Sequence, residues 1–364
     1  MKIGFDARRY FLNRTGLGDY SRNLIRHLHA SDPSIDIHLY TSSAGEHYPA
    51  PDFAKLHLKG KSPSLYWRNF GIPNALERDR IQLYHGLSNE LPLGIGRAEI
   101  PALVTIHDLL FIRYPGHYAH FDRNVYLFKT KRACKLAHHI ITISETTKKD
   151  LMHFLEMPEE KISVVPPIAT FTPKKQILSG AIPRNADKST PYILCVSSFQ
   201  TRKNLERLIE AYHEAKTDYR LIIAGRKGET SRACAVLVSE KKSGRKAELK
   251  FDVGHQEMEM LFNEAAAFIY PSVYEGFGMP VLDALHHQLP ILTGFGTSMQ
   301  EIAGDAGIYF DPLQKESITA AIEQFSAPTF DALHHKNLAN ERLAMFSEEV
   351  MTQKLINIYR KIGN

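Results

Sequence analysis

Two carboxylates eight positions apart, Glu275 and Asp283, bracket the run Gly276-Phe277-Gly278-Met279-Pro280. Glycines let a backbone approach a ligand closely, and Pro280 reads as the first position of a helix whose N–H groups and positive dipole end then point at the same place. Such a terminus holds a diphosphate. Carboxylates beside it suit neutral hydroxyls, because an ionised carboxylate only accepts hydrogen bonds. One ligand class presents both chemistries, a nucleotide-diphosphate sugar. The competing reading needs no ligand: Glu275 caps the helix and Asp283 interacts favourably with its dipole.

Upstream, Arg202 and Lys203 stand between an apolar run and a helical one, and Asn204 is placed to cap that helix. Paired cations at the carboxyl end of a strand sit where doubly wound sheets bind ligands, with diphosphate as the obvious counter-charge. An exposed basic loop would look the same in sequence. Near the N-terminus, Gly16 and Gly18 open another helix, where they serve either an anion or a tight turn. His107 follows an apolar run as the last residue before a loop, a place shared by ligand contacts and packed histidines. His138-His139 and His334-His335 show no metal-ligand spacing and read as structural.

Elements able to position these groups alternate along the chain. Strands are expected at Lys2–Phe5, Ile35–Tyr40, Ile81–Tyr84, Ala102–Ile106, His139–Ile143 and Ile162–Val165, with helices between most of them, including Tyr20–Leu28. A proline-rich stretch interrupts them: residues 171–190 read as a linker between a first domain of residues 1–170 and a second of residues 191–345. The alternation then restarts, with strands Tyr192–Val196, Leu221–Ala224, Leu249–Val253 and Ala267–Tyr270 and helices Leu205–Ala215 and Met258–Ala266. A final helix within residues 346–364 is placed to pack back on the first domain. This pattern predicts two α/β halves with parallel sheets. A length of 364 residues suits two domains, and 43% hydrophobic with 23% charged residues is ordinary globular composition.

A net charge of +5 is mild for this length and calls for no nucleic acid. The run Lys129 to Lys135 reads as a solvated helix face or as a contact with anionic lipid. Cys134, Cys195 and Cys234 form no C-x-x-C pair, which fits a reducing cytosol. No stretch approaches the roughly 20 apolar residues that span a bilayer, so the expectation is a cytoplasmic chain, at most peripheral to the membrane. No motif addresses oligomeric state.

Together these motifs resemble the retaining GT-B glycosyltransferases of family four, the glycosyl transferases group 1. YILCVSSFQTRKN, LIIAG, FIYPSVYEGFGMPVLDAL and EIAGDAGIYFDP resemble the donor-binding domain in order and spacing. The first half is similar more loosely, through Gly16 and Gly18, Tyr84-His85-Gly86, Thr105-Ile106-His107-Asp108 and Ile141-Thr142-Ile143-Ser144-Glu145. The resemblance implies a GT-B fold, two Rossmann-like doubly wound domains facing across a cleft. It implies that Glu275 touches hydroxyls of the transferred sugar, Asp283 the nucleotide ribose, and Arg202, Lys203 and the N–H groups of Gly276, Phe277, Gly278 and Met279 the diphosphate. His107 would approach the donor sugar from the acceptor domain, and Gly16 and Gly18 would lie at the donor.

Three departures from the family pattern stand out. Asp283 replaces the usual glutamate, Ser198 replaces an arginine whose place Arg202 would take as in the mannosyltransferase-like branch, and His286-His287-Gln288 replaces a small Cys-Gly turn. The implied reaction is front-face attack with retention, the leaving phosphate accepting the acceptor's proton, in a cleft that closes to exclude water. No D-x-D motif is present, so no cofactor and no metal are expected. Mannose from GDP-mannose is the donor that the branch suggests, and a glycan or lipid-linked saccharide of surface polysaccharide or glycolipid synthesis the acceptor. Trp67, Tyr114 and Tyr118, in loop-like segments, are candidates to stack on acceptor sugars. A nucleotide-sugar epimerase, a glycan phosphorylase and a non-catalytic nucleotide-sugar-binding protein are the alternatives.

Overall fold

The computed structural model describes residues 1–45, 47–168, 191–240 and 247–363. The chain divides into two compact units, Met1–Thr170 with Phe346–Asn364, and Phe171–Met345. The stretch 171–190, expected as a linker, lies outside the described residues.

The first unit holds a sheet of seven parallel strands: β1 (Lys2–Asp6), β2 (Asp36–Thr41), β3 (Ala54–Leu58), β4 (Leu83–Gly86), β5 (Ala102–Ile106), β6 (His139–Thr142) and β7 (Ile162–Val164), in the order β3-β2-β1-β4-β5-β6-β7. The second holds six: β8 (Tyr192–Val196), β9 (Arg220–Gly225), β10 (Ala247–Phe251), β11 (Ala267–Tyr270), β12 (Ile291–Gly294) and β13 (Gly307–Phe310), in the order β10-β9-β8-β11-β12-β13. Every described pairing is parallel. Helices cover such sheets on both faces, which is why ALVTI, HIIT and AFIY run buried from end to end rather than alternating. Each sheet reverses its strand order once, between β1 and β4 and between β8 and β11. Those reversals are where doubly wound sheets form ligand crevices, outside the carboxyl ends of the strands.

Three strands escape the sequence pattern. The edge strand β3 is half exposed and mixes lysine and histidine with leucine, while β12 (ILTG) and β13 (GIYF) each give one of their four positions to glycine, which is depleted in strands. Helix boundaries move by one to four residues: the helix expected from Tyr20 starts at Gly16, and the one expected at Met258–Ala266 runs His255–Glu264.

The terminal helix Glu348–Gly363 belongs to the first unit. Its Tyr359 is fully buried, and the phenol oxygen lies 2.6 Å from His85 Nδ1. His85 Nε2 meets Thr105 Oγ1 at 2.8 Å, which in turn lies 3.0 Å from the Tyr20 hydroxyl. This chain of four buried side chains ties the helix end to β4, β5 and the Gly16–Ser31 helix. Burial lowers the His85 pKa to about 3, so the ring is neutral and each nitrogen needs its own partner.

Candidate active site

At the switch point of the second sheet, the segment leaving β8 meets the segment leaving β11. Thr201–Lys203 forms a single 3-10 turn that brings Arg202 and Lys203 round to the loop carrying Glu275. Glu275 Oε1 accepts four hydrogen bonds: from Lys203 Nζ at 2.5 Å, Ser272 Oγ at 2.5 Å, Arg202 Nη1 at 2.9 Å and Tyr270 Oη at 3.3 Å. Lys203 Nζ also donates to Tyr270 Oη at 2.8 Å. Oε2 takes part in none of these contacts. The backbone is fixed as well, since Ser298 Oγ donates to the Glu275 carbonyl at 2.8 Å.

Burial works against both charges and pairing restores them. Burial alone would raise the Glu275 pKa, but Lys203 and Arg202 outweigh it and hold the carboxylate below its ordinary range. Lys203 is buried, which lowers its pKa despite the attraction of Glu275. The result is an ionised acid and two cations fixed at one atom, with a second carboxylate oxygen left over. The reading of Glu275 as a helix cap does not hold, because its side chain is taken up by these four donors.

Two local expectations need correction. Asn204 does not cap the helix Leu205–Glu214 through its side chain: it adopts a left-handed conformation, φ 60°, and its amide donates to the carbonyls of Pro271 at 3.2 Å and Pro312 at 2.6 Å. It thereby ties the segment after β8 to those after β11 and β13. Pro280 is the second residue of the helix Met279–His286, whose start is Gly278 at φ +119°. Only glycine adopts that angle without strain. Phe277 is buried and Gly276 and Met279 are partly so.

Asp283, in the middle of this helix, is half-buried, and burial with the nearby Glu259 raises its pKa to about 7. The turn that replaces Cys-Gly carries Gln288 at φ 57°, the left-handed position a glycine takes there, and His287 stacks on Phe262 at 5.0 Å. These are structural substitutions.

Gly16, Gly18 and His107 lie in the first unit. A Cβ on Gly18 would sit 1.9 Å from the Asn13 carbonyl oxygen, so tight packing of the helix on its loop excludes any other residue. Gly16 has open space at that position. Asn13 Oδ1 accepts from Thr15 N, Thr15 Oγ1 and Gly18 N and so shapes the loop, a role that sequence spacing does not reveal. His107 is buried, with its ring edge-on to Tyr20 at 4.7 Å. Its Nε2 lies 2.8 Å from the Leu87 carbonyl, which requires Nε2 to carry the hydrogen, and burial lowers its pKa to about 4. A neutral ring with that tautomer offers Nδ1 as an acceptor for a hydroxyl.

Among the acceptor candidates, Trp67 is not in a loop. It heads the wide π-helical turn Trp67–Gly71, packed in the core of the first unit with its indole N–H unpartnered among the described residues. Tyr114 and Tyr118 flank a short turn and are partly exposed, Tyr118 packing on Phe111 and Tyr126. Sequence reading missed Tyr270 and Ser272 as partners of Glu275, although both stand inside the motif. Among the described residues no group of three or more His, Cys, Asp or Glu could hold a metal, and no helix is long and apolar enough to cross a membrane.

Comparison with known proteins follows the same division. Residues 182–338 match the model for glycosyl transferases group 1, and residues 14–168 match glycosyltransferase family 4. The chain is 28% identical over 306 residues to the O-antigen chain mannosyltransferase B of Escherichia coli, covering 79% of this chain and 76% of that one. Sucrose-phosphate synthase from Thermosynechococcus elongatus superposes with a TM-score of 0.77 at 19% identity, over 99% of this chain and 98% of that one. HepE of Anabaena, solved with UDP and glucose, superposes at 0.71 with 14% identity, over 99% and 100%. With one family model on each half, a knot of Arg202, Lys203 and Glu275 at the switch point and a GT-B arrangement of strands, the chain belongs to the group 1, family 4 glycosyltransferases.

Proposed function

We propose that the chain moves a hexose, mannose from GDP-mannose, onto a saccharide or lipid-linked acceptor of surface polysaccharide synthesis, with retained configuration and without a metal. The observation that carries this is the four-donor grip on Glu275 Oε1, which leaves Oε2 to accept from a sugar hydroxyl beside two cations. Arg202 and Lys203 neutralise the diphosphate as it departs, the task a metal performs elsewhere. Gly276 to Met279 lie at the diphosphate and Asp283 at the ribose. In the first unit, Gly16, Gly18 and the Nδ1 of His107 are the groups this reading assigns to the donor.

In the step itself, the bond from the anomeric carbon to the diphosphate oxygen breaks and its electron pair leaves with the nucleotide. An acceptor hydroxyl bonds to the same face of that carbon, and its proton passes to the departing phosphate oxygen. His107 is not the acid in this scheme, because with a pKa of about 4 its ring is neutral at neutral pH and its one N–H is committed to the Leu87 carbonyl. The mannosyl donor rests on the naming of the Escherichia coli relative and on the Arg202-Lys203-Asn204 motif.

The same reading puts the chain at the inner face of the cell membrane. On the helix His120–Leu136, Phe121 and Phe128, two turns apart, are 77% and 62% exposed, and Lys131, Arg132 and Lys135 follow them. Exposed aromatics with flanking cations suit an anionic bilayer surface. The function is tested by incubating the full chain with GDP-, UDP-, dTDP- and ADP-sugars and EDTA. Consumption of one donor supports it; failure of every donor to bind overturns it.

A further inference from the structure

Two segments of the first unit close on His107 from opposite directions. The first follows β4, where the chain turns so sharply after Gly86 that a Cβ on this residue would stand 2.4 Å from the Glu90 carbonyl oxygen. Inside that turn Leu87 presents its carbonyl to His107 Nε2, and Asn89 stands at φ 55°, a left-handed angle in which asparagine is enriched over other residues with a side chain. Held there, the Asn89 N–H donates to the Thr105 carbonyl at 2.8 Å. The side-chain amide spans the next step of the chain: Oδ1 accepts from the His107 N–H at 2.8 Å, and Nδ2 donates to the Asp108 carbonyl at 3.2 Å. The second segment is the start of the helix Glu145–Leu155. Ser144 Oγ accepts from the Thr147 N–H at 3.1 Å, and Thr147 Oγ1 donates to the His107 carbonyl at 3.2 Å.

His107 is therefore gripped at three of its four polar groups: the N–H by Asn89, the carbonyl by Thr147 and Nε2 by Leu87. Nδ1 takes part in none of these contacts. Asn89 is partly exposed, so water could serve its amide; instead it keeps a sparsely populated backbone conformation and commits both ends of the amide to the segment that carries His107. A side chain of this length that offers a fixed acceptor beside a fixed donor is asparagine alone, since aspartate only accepts and would set an oxygen against the Asp108 carbonyl.

We propose that Asn89 is a positioning residue for the transfer: it sets the His107 backbone so that Leu87 fixes the ring's tautomer and Nδ1 is kept as an acceptor for a hydroxyl of the donor sugar. The proposal rests on the transferase reading, which assigns His107 to the donor. Asn89 acts through His107 and touches no substrate itself.

Asn89→Gly on the full chain tests this, because glycine takes a positive φ freely and the change removes only the amide. Nitrogen NMR of the unliganded chain should show the wild-type His107 ring as the neutral Nε2–H form. In Asn89→Gly the two tautomers mix, and Asn89→Asp, which keeps the acceptor for the His107 N–H, falls between. With GDP-mannose and EDTA, Asn89→Gly lowers kcat/KM by about tenfold or more in the wild-type background and by less than about twofold in the His107→Ala background. A residue that only stabilised the fold would cost the same in both backgrounds and leave the ring's tautomer unmoved. Equal losses in the two backgrounds, or a wild-type ring signature in Asn89→Gly, overturn the proposal. Absence of turnover in the wild type counts against the transferase reading alone, and the ring signature then decides by itself whether Asn89 holds His107.

Discussion

Replacing Lys203 by methionine keeps all but one atom of the side chain's length and removes the cation closest to Glu275. The two side chains are 9% and 13% exposed, so the pair lies out of water, and breaking a buried pair from one side typically costs about 3–5 kcal/mol. Arg202, a quarter exposed, stays beside Glu275 and softens the loss, which places the expected cost at about 3 kcal/mol. For a unit of about 175 residues that corresponds to a drop of about 6–12 °C in its melting transition. Glu275→Leu alone strands Lys203 and costs a similar amount. The double variant removes both charges, so it should be more stable than the sum of the single losses implies, with a coupling of about 2 kcal/mol. Calorimetric scans of the four proteins at pH 7 measure this cycle. Losses that add to within about 0.5 kcal/mol would refute the reasoning, because they would mean that Glu275 and Lys203 do not sense each other.

Four other outcomes follow from particular side chains. Asp283, with its pKa raised to about 7, is half-protonated at neutral pH; ribose hydroxyls that hold it ionised should release up to about half a proton when a nucleoside diphosphate binds. Calorimetry in buffers of different ionisation enthalpy reads this as a difference between wild type and Asp283→Asn, and equal release by both contradicts the ribose contact. Since the folded-state pKa lies above the ordinary 3.8, the stability Asp283 contributes is full below about pH 4 and lost as pH rises through about 7, a slope that Asp283→Asn should abolish. Tyr359→Phe leaves His85 Nδ1 unpaired in the core and should destabilise the first unit by about 2 kcal/mol, seen in denaturant unfolding; an unchanged midpoint would detach the terminal helix from this account. The double change Phe121→Ser with Phe128→Ser should weaken co-sedimentation with phosphatidylglycerol vesicles by about tenfold or more while leaving nucleotide binding intact.

Much of the architecture was legible because central parallel strands are buried on both faces and announce themselves as continuous apolar runs. Tyr192–Val196, Ala102–Ile106 and Ala267–Tyr270 fall where composition places them. The exposed edge β3, with lysine and histidine between its leucines, carries no such signal. Arg202, Lys203 and Glu275 were legible as separate motifs, but that all their contacts converge on a single carboxylate oxygen depends on how β8 and β11 pair, which spacing cannot give. The Asn204 side chain shows the limit from the other side: its type and place fit a helix cap, and tertiary contacts with Pro271 and Pro312 won instead. The grip on His107 was invisible in sequence, because Leu87, Asn89 and Thr147 stand 18 to 40 positions from it and form no motif with it.

The account stands most directly on the stereochemistry of transfer without metal. Proton NMR of the full chain with GDP-mannose in EDTA, with water or a mannoside as acceptor, follows the anomeric signal of the first product formed. The account predicts that the product carries the donor's own anomeric configuration and that Glu275→Ala and Lys203→Ala lower the rate by about a hundredfold or more. Inverted product, a strict need for added metal, or unimpaired turnover in both variants would contradict it.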